Sequence, residues 1–249
     1  MNQPERWTEA LDGADKRTMA SQLEIRVRED IINGRLAPGS KLRLKELAEF
    51  YDAGVIPLRE ALSRLAAIGF VSSADQKGFS VGSISAEEIR DITETRLLIE
   101  CKALALSIAN GDVEWESRLL AAHHRLDRLP VVEGPERILK PEWEQAHEEF
   151  HTALLASCGS PWLLRFAKTL RDQTARYRML AVRYAGNEER DVPGEHRRLL
   201  EAALAKDIDG ACALLTGHYQ QTTRTVLAHE SLKADATSAG SRPRRQRSA

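Results

Sequence analysis

The chain begins with short amphipathic runs separated by turn residues and then passes into long helical periods. From Met19 to Asn33 the apolar positions Leu23, Val27 and Ile31 recur every four residues, and the run stops at Gly34, a residue suited to a left-handed helix cap. Pro38-Gly39 is a turn. Leu44, Leu47, Ala48 and Tyr51 mark a short second helix, and Ala53-Gly54 separates it from a third. Pro57 suits the first turn of that third helix. Leu58, Ala61, Leu62, Leu65 and Ile68 form its inward stripe, and Gly69 ends it. Phe70-Val71 and Phe79-Ser80-Val81 then flank the polar tip Asp75-Gln76-Lys77-Gly78 as a small β-hairpin. Three short helices and a hairpin predict a winged helix-turn-helix domain over residues 17–82.

From Ser85 the pattern is helical almost to the end. Ser85 with Glu88 predicts a capping box that opens a helix through about Ala109. Further helices are expected at about 113–128, 141–158, 161–184, 190–205 and 208–230, the last capped by Asp207 or Asp209. Long amphipathic helices with short polar connections imply an antiparallel α-helical bundle over 83–230, so the fold class is mainly α. Residues 1–16 show little periodicity and are expected to form a mobile leader. Residues 231–249, small and basic, are expected to form a disordered tail.

Composition narrows the class. Aromatic content of 5% in 249 residues argues against a β-rich sandwich. No run approaches the ~18 apolar residues of a membrane span, and the polar start has no signal-peptide pattern, which points to a cytoplasmic protein. Cys101, Cys158 and Cys212 form no C-x-x-C pair and read as small apolar residues of a reducing compartment. The net charge of -1 excludes a polycation overall, but residues 17–82 hold ten basic against eight acidic side chains, and the last nine residues hold four arginines and no acid.

That basic front end has the layout of a DNA reader. A recognition helix needs one apolar face against its own domain and cations on the other, and Arg59 and Arg64 accompany the inward stripe of the third helix. Arg43 and Lys45 open the preceding helix, where they would lie against the phosphate backbone. Lys77-Gly78 at the hairpin tip would approach a phosphate or the minor groove. The competing reading for each residue is a solvated charge on a helical surface.

The run Pro38-Gly-Ser-Lys-Leu-Arg-Leu-Lys-Glu-Leu-Ala48, with Pro57-Leu-Arg-Glu-Ala-Leu-Ser-Arg-Leu65 and Gly69-Phe-Val71, resembles the reader domain of GntR-type transcriptional regulators. The helical remainder resembles the effector domain of that family's fatty-acid-regulator branch, most of all its carbon-starvation-induced repressor type. The resemblance covers roughly residues 18–230. It implies a homodimer on a pseudo-palindromic double-stranded operator, with Lys45 and Arg59 on DNA-contacting positions and Lys77-Gly78 on the wing tip. Gly54-Val55 departs from the Ser/Thr-Arg common there, which removes one expected cation and implies an operator that differs from the usual one.

The seven histidines carry a second signal. His147-Glu148-Glu149-Phe150-His151 satisfies H-E-x-x-H, the zinc metalloprotease motif, with both imidazoles on one helical face and Glu148 as a general base. A zinc-dependent hydrolase is therefore the alternative function. The extended form of the motif requires glycine at position 154 and histidine at 157, where the chain has Leu154 and Ser157. His196 precedes Leu199, Leu200 and Ala203, and His218 follows Ala211, Leu214 and Leu215, so both lie on inward faces. Four imidazoles from three helices can converge in a bundle and suit a divalent ion, Zn²⁺ or Ni²⁺. A helical adaptor with hydrogen-bonded core histidines is the remaining reading. His123-His124 is a pair with one member facing in and the other out.

Metal-binding members of the resembled family place a carboxylate four residues before the histidine of a Phe-His pair, followed by two later histidines. Phe150-His151, His196 and His218 match, and the carboxylate position is His147. The resemblance therefore leaves a four-histidine site, a three-histidine site, or one completed by Glu144 or Glu148. It further implies that Arg96 lies near the effector pocket, with Arg176 and Arg178 as further cations, Arg178 the more naturally a salt bridge. The effector it implies is a small organic acid, a dicarboxylate among the candidates.

Overall fold

The structure, a computed structural model, describes residues 18–74, 78–134, 138–184 and 190–240. The expected leader and the tip residues Asp75, Gln76 and Lys77 lie outside the described residues.

The reader domain is built from α1 (Met19–Ile32), β1 (Lys41–Leu42), α2 (Leu44–Phe50), α3 (Val55–Ala67), β2 (Val71–Ala74) and β3 (Gly78–Val81). Thr18 caps α1 by accepting a hydrogen bond from the Ser21 N–H at 3.2 Å. Leu23 and Val27 of α1 meet Leu58, Leu62 and Leu65 of α3 in a core that also takes Phe70 and Val81. Each such side chain contributes about 1.5–3 kcal/mol by leaving water. The hairpin has the expected place, but the sheet has a third strand that the periodicity did not reveal. β1 pairs antiparallel with β3 (Lys41 opposite Ser80, Leu42 opposite Phe79), giving the order β1-β3-β2. Two residues are too few to show alternation.

The bundle comprises α4 (Ala86–Asn110), α5 (Val113–Asp127), α6 (Pro141–Leu155), α7 (Pro161–Tyr184), α8 (Val192–Leu204) and α9 (Ile208–Gly240). A two-stranded ribbon, β4 (Val132–Glu133) with β5 (Ile138–Leu139), joins α5 to α6 and was not expected. Helix α4 packs along α9 and α7, α5 along α6, and α8 along α9. Asp112 and Asp207 cap α5 and α9, each accepting an N–H bond from three residues on. Helix α9 continues to Gly240 rather than ending near 230. Residues 231–239 contain neither proline nor glycine and are rich in alanine, so nothing there stops a helix. Residues 241–249 lie outside the described residues.

The capping box is half made. Ser85 Oγ accepts from the Glu88 N–H at 2.9 Å, but Ser85 N–H donates to the Tyr177 hydroxyl at 3.2 Å. The Glu88 carboxylate turns instead to α7, where Arg176 at 2.8 Å and the Tyr177 hydroxyl hold it. The two domains meet along the same helix. Arg28 of α1 pairs with Asp172 at 2.6 Å, Gln173 donates to the Ile68 carbonyl, and Ala175 is buried in the reader's core. A Cβ at Gly82 would come within 2.5 Å of Arg176 Nη1 and 2.9 Å of the Gly69 carbonyl, so the linker needs glycine there.

Candidate metal centre and nucleic-acid interface

His147 and His151 stand one turn apart on α6, and α8 and α9 bring His196 and His218 to them. All four are buried, and one ring nitrogen from each lies within 4.8 Å of all the others. Trp143 stacks on His147 at 4.8 Å, and Phe150 meets His196 edge-on at 5.4 Å, so apolar rings wall the cluster. Both nitrogens of His147 and the Nε2 atoms of His151 and His196 are buried without a hydrogen-bond partner. Burial lowers the pKa of all four imidazoles, aided at His147 by Arg178 and at all of them by neighbouring positive charge. Neutral imidazoles with unshared lone pairs are the form that binds a metal ion. Around them, Glu195 holds His218 Nδ1 at 2.6 Å and the Tyr219 hydroxyl lies 3.4 Å from His151 Nδ1, contacts that fix ring orientation.

The two carboxylates proposed as substitute ligands are engaged elsewhere. Glu144 pairs with Arg178, and Glu148 accepts from Arg171 at 3.3–3.4 Å. Burial alone would raise the Glu148 carboxyl, but the Arg171 guanidinium outweighs it and leaves the group below its ordinary range. A carboxylate held by a buried arginine is poorly placed to take a proton from water, so the H-E-x-x-H geometry does not support the hydrolase alternative.

A cavity of about 20 Å³ borders the cluster between α4, α7 and α9, lined among others by Arg96, His147, Arg178, His218 and Tyr219. Arg96 is one of the residues that line this cavity. Its Nε donates to Glu100 at 2.7 Å, Nη1 donates to Thr174 at 2.9 Å, and Nη2 is buried without a partner. Its guanidinium also lies over the Tyr219 ring at 3.7 Å. The two cations on α7 trade places relative to the sequence expectation. Arg176 does not face the cavity. It holds Glu88 and the Ser83 carbonyl at the domain junction, whereas Arg178 lines the cavity while paired with Glu144. Positions i and i+2 are about 200° apart around a helix, so the two side chains leave opposite sides of α7, and both sides are buried. Arg171, Thr174 and Arg178, at i, i+3 and i+7, share the side that Arg176 does not. His123 is buried and His124 exposed, as expected.

On the reader, Arg59 is exposed and has no hydrogen-bond or ion-pair partner among the described residues, and Lys45 is exposed in the first turn of α2. Arg43 caps α2 and pairs with Glu46 at 2.8 Å. Arg64 is bound to its own domain, to Glu60 at 2.5 Å, Ser21 at 3.1 Å and Glu24 at 3.4 Å, so it braces α3 against α1. Gly78 begins β3 with φ 78, a left-handed value that glycine adopts readily. Lys77 lies outside the described residues.

A winged helix-turn-helix domain joined to a helical bundle defines the class of two-domain helix-turn-helix proteins. Comparison with known proteins narrows the class. Residues 19–81 match the family described as bacterial regulatory proteins, gntR family, and residues 91–221 match the FCD domain. The chain belongs to the GntR family of transcriptional regulators, in the branch that carries a helical FCD effector domain. It is 40% identical over 195 residues to the transcriptional repressor GlaR of Escherichia coli, covering 77% of this chain and 88% of that one. It is 38% identical over 215 residues to the regulator BphR of Paraburkholderia xenovorans, covering 86% and 87%. The solved structure of E. coli McbR/YncC shares the fold, with a TM-score of 0.68 at 21% identity over 86% of this chain and 99% of that one. These relatives are transcription regulators, not enzymes. Among the described residues no helix is long and apolar enough to cross a membrane.

Proposed function

We propose that this chain is a cytoplasmic, homodimeric repressor that binds a pseudo-palindromic operator and is released from it by a small organic acid held beside a divalent metal in the bundle. The observation that supports it is a coincidence of unmet bonding. Three buried histidines carry unpartnered nitrogens, and Arg96, whose buried Nη2 is also unpartnered, lines a cavity with His147 and His218. Buried polar atoms without partners are rare unless a ligand completes them. His147, His151, His196 and His218 would hold Zn²⁺ or Ni²⁺, borderline ions suited to imidazole. Held by three of these histidines, or as an ion that accepts five or six ligands, it would leave a position for a carboxylate. Arg96 would pair with the acid, and Arg178 would take a second carboxylate by exchanging it for Glu144. A dicarboxylate exceeds about 20 Å³, so its entry must part α4, α7 and α9. Helix α7 also contacts the reader, so that movement reaches the DNA-binding domain.

The test combines elemental analysis of the purified protein after loading with zinc or nickel and fluorescence anisotropy on operator DNA with a panel of mono- and dicarboxylic acids. One ion per chain and weakening of operator binding by a subset of acids are expected. Absence of stoichiometric metal after loading would overturn the site.

A further inference from the structure

The outer ridge of α3 is Ile56, Arg59, Glu60 and Ser63, at i, i+3, i+4 and i+7, opposite the buried Leu58, Ala61, Leu62 and Leu65. Ile56 stands on that ridge 83% exposed, and Val55 beside it is exposed as well. The reader's core is complete without Ile56, so folding of the described chain gives no reason for a β-branched apolar side chain there. The ridge itself carries both charges, Arg59 and Glu60, about one turn beyond Ile56. Arg59 stands one turn further along the ridge without a partner among the described residues, and Lys45 and the Glu46-paired Arg43 lie at the start of α2. A polyanion that meets Arg59 on this ridge also meets two exposed apolar side chains, Val55 and Ile56, of which Ile56 is the more exposed. Gly54, which precedes α3, adds no side chain to crowd it. In the major groove the base edges are hydrogen-bonding groups, with one apolar exception, the thymine 5-methyl.

We propose that Ile56 reads the operator by packing on a thymine 5-methyl, about one helical turn from the group that Arg59 contacts. The inference rests on α3 lying in the major groove, the docking implied by the family. An apolar reader would then occupy a stretch of the helix that lacks a cation, and its specificity would resist salt where phosphate contacts do not.

The experiment uses the full-length protein and the tightest duplex selected from random sequence. Each thymine is replaced in turn by deoxyuridine, which keeps the hydrogen-bonding edge and removes the methyl. At one or two positions in each half-site the wild-type protein should lose about fourfold in affinity per half-site, the worth of one buried methyl group. Ile56→Ala should show no loss at those positions, while melting as the wild type and binding unselected DNA equally at low salt. Equal sensitivity in both proteins, or no sensitive thymine while Arg59→Ala still relaxes discrimination, overturns the role of Ile56 and leaves the docking of α3 standing. If both variants discriminate as the wild type does, the docking falls, and the inference falls with it.

Discussion

Asp30 is the one charged side chain buried among the described residues of the reader domain, and the Tyr51 hydroxyl at 2.7 Å and Arg35 at 3.1 Å answer it. The bundle buries Arg96, Glu100, Arg171, Arg176 and Arg178 together with five histidines. The reader keeps Arg43, Lys45, Arg59 and Arg64 in solvent around an apolar core. On the proposed function, the contrast follows from what each domain would recognise. A polyanion is attracted by exposed cations that give up counterions, and its bound surface stays wet. A small acid is held by charges already stripped of water and fixed by one another, which makes the bundle's stability depend on the completeness of its network.

The largest expected effect therefore comes from cutting that network. Glu100 accepts from Arg96, Arg171 and the Tyr219 hydroxyl, at 2.7, 3.4 and 2.7 Å. Glu100→Ala strands the buried Arg96 guanidinium and leaves Arg171 with Glu148 as its one carboxylate, and should cost roughly 3–5 kcal/mol in urea unfolding. A loss below about 1 kcal/mol would mean that water reaches the site and that the contrast between the domains is overstated. Next comes the metal. In the wild type an ion at a hundredfold excess over its dissociation constant adds about 2.7 kcal/mol of stability. Joint replacement of His151, His196 and His218 by alanine should abolish both that gain and the stoichiometric ion, read by elemental analysis and melting. Full retention of metal would sink the site.

How much of this was legible in the sequence follows the same division. Leu58, Ala61, Leu62 and Leu65 repeat at helical spacing, and glycines and prolines mark the ends of the short helices, so the reader could be outlined from pattern. The two-residue β1 could not, since pairing with β3 depends on the chain returning through space. The histidine cluster was legible because His147 and His151 share a face and His196 and His218 sit among inward leucines. The fates of Arg176 and Arg178 were not. Charge says nothing about which side of a helix is inward, and α7 is covered on both sides, by the cavity and by the domain junction. The pairing of Glu144 and Glu148 with α7 arginines, which removes them as ligands, is likewise a matter of which helices become neighbours.

A smaller effect is expected on the reader. Arg59→Ala should lower discrimination between operator and scrambled duplex by roughly 1–3 kcal/mol if the guanidinium reads a base. Folding stability should change by less than about 0.5 kcal/mol, because an exposed, unpaired side chain leaves nothing stranded. Anisotropy titrations with both duplexes at two salt concentrations separate the cases. Uniform weakening on both duplexes would make Arg59 a phosphate contact, and unchanged discrimination would remove it from the base readers.

The last effect, read in coupling more than in stability, should fall where the two kinds of chemistry share one helix. On α7, Thr174 and Arg178 line the cavity while Asp172 reaches Arg28 of the reader, a part-exposed pair at 2.6 Å. Asp172→Asn should change the unfolding free energy by at most about 1 kcal/mol, the ordinary worth of such a pair in contact with solvent. Operator affinity without effector should stay near that of the wild type. Its consequence should appear in coupling, which requires that the two domains move together. Once an acid that weakens operator binding is in hand, the ratio of operator affinities with and without it should shrink in Asp172→Asn, because the reader is then held to α7 without that ion pair. An unchanged ratio would mean that Gln173, Ala175 and Arg176 transmit the movement without Arg28. The exposed charge pair would then belong with the reader's solvated surface rather than with the bundle's network.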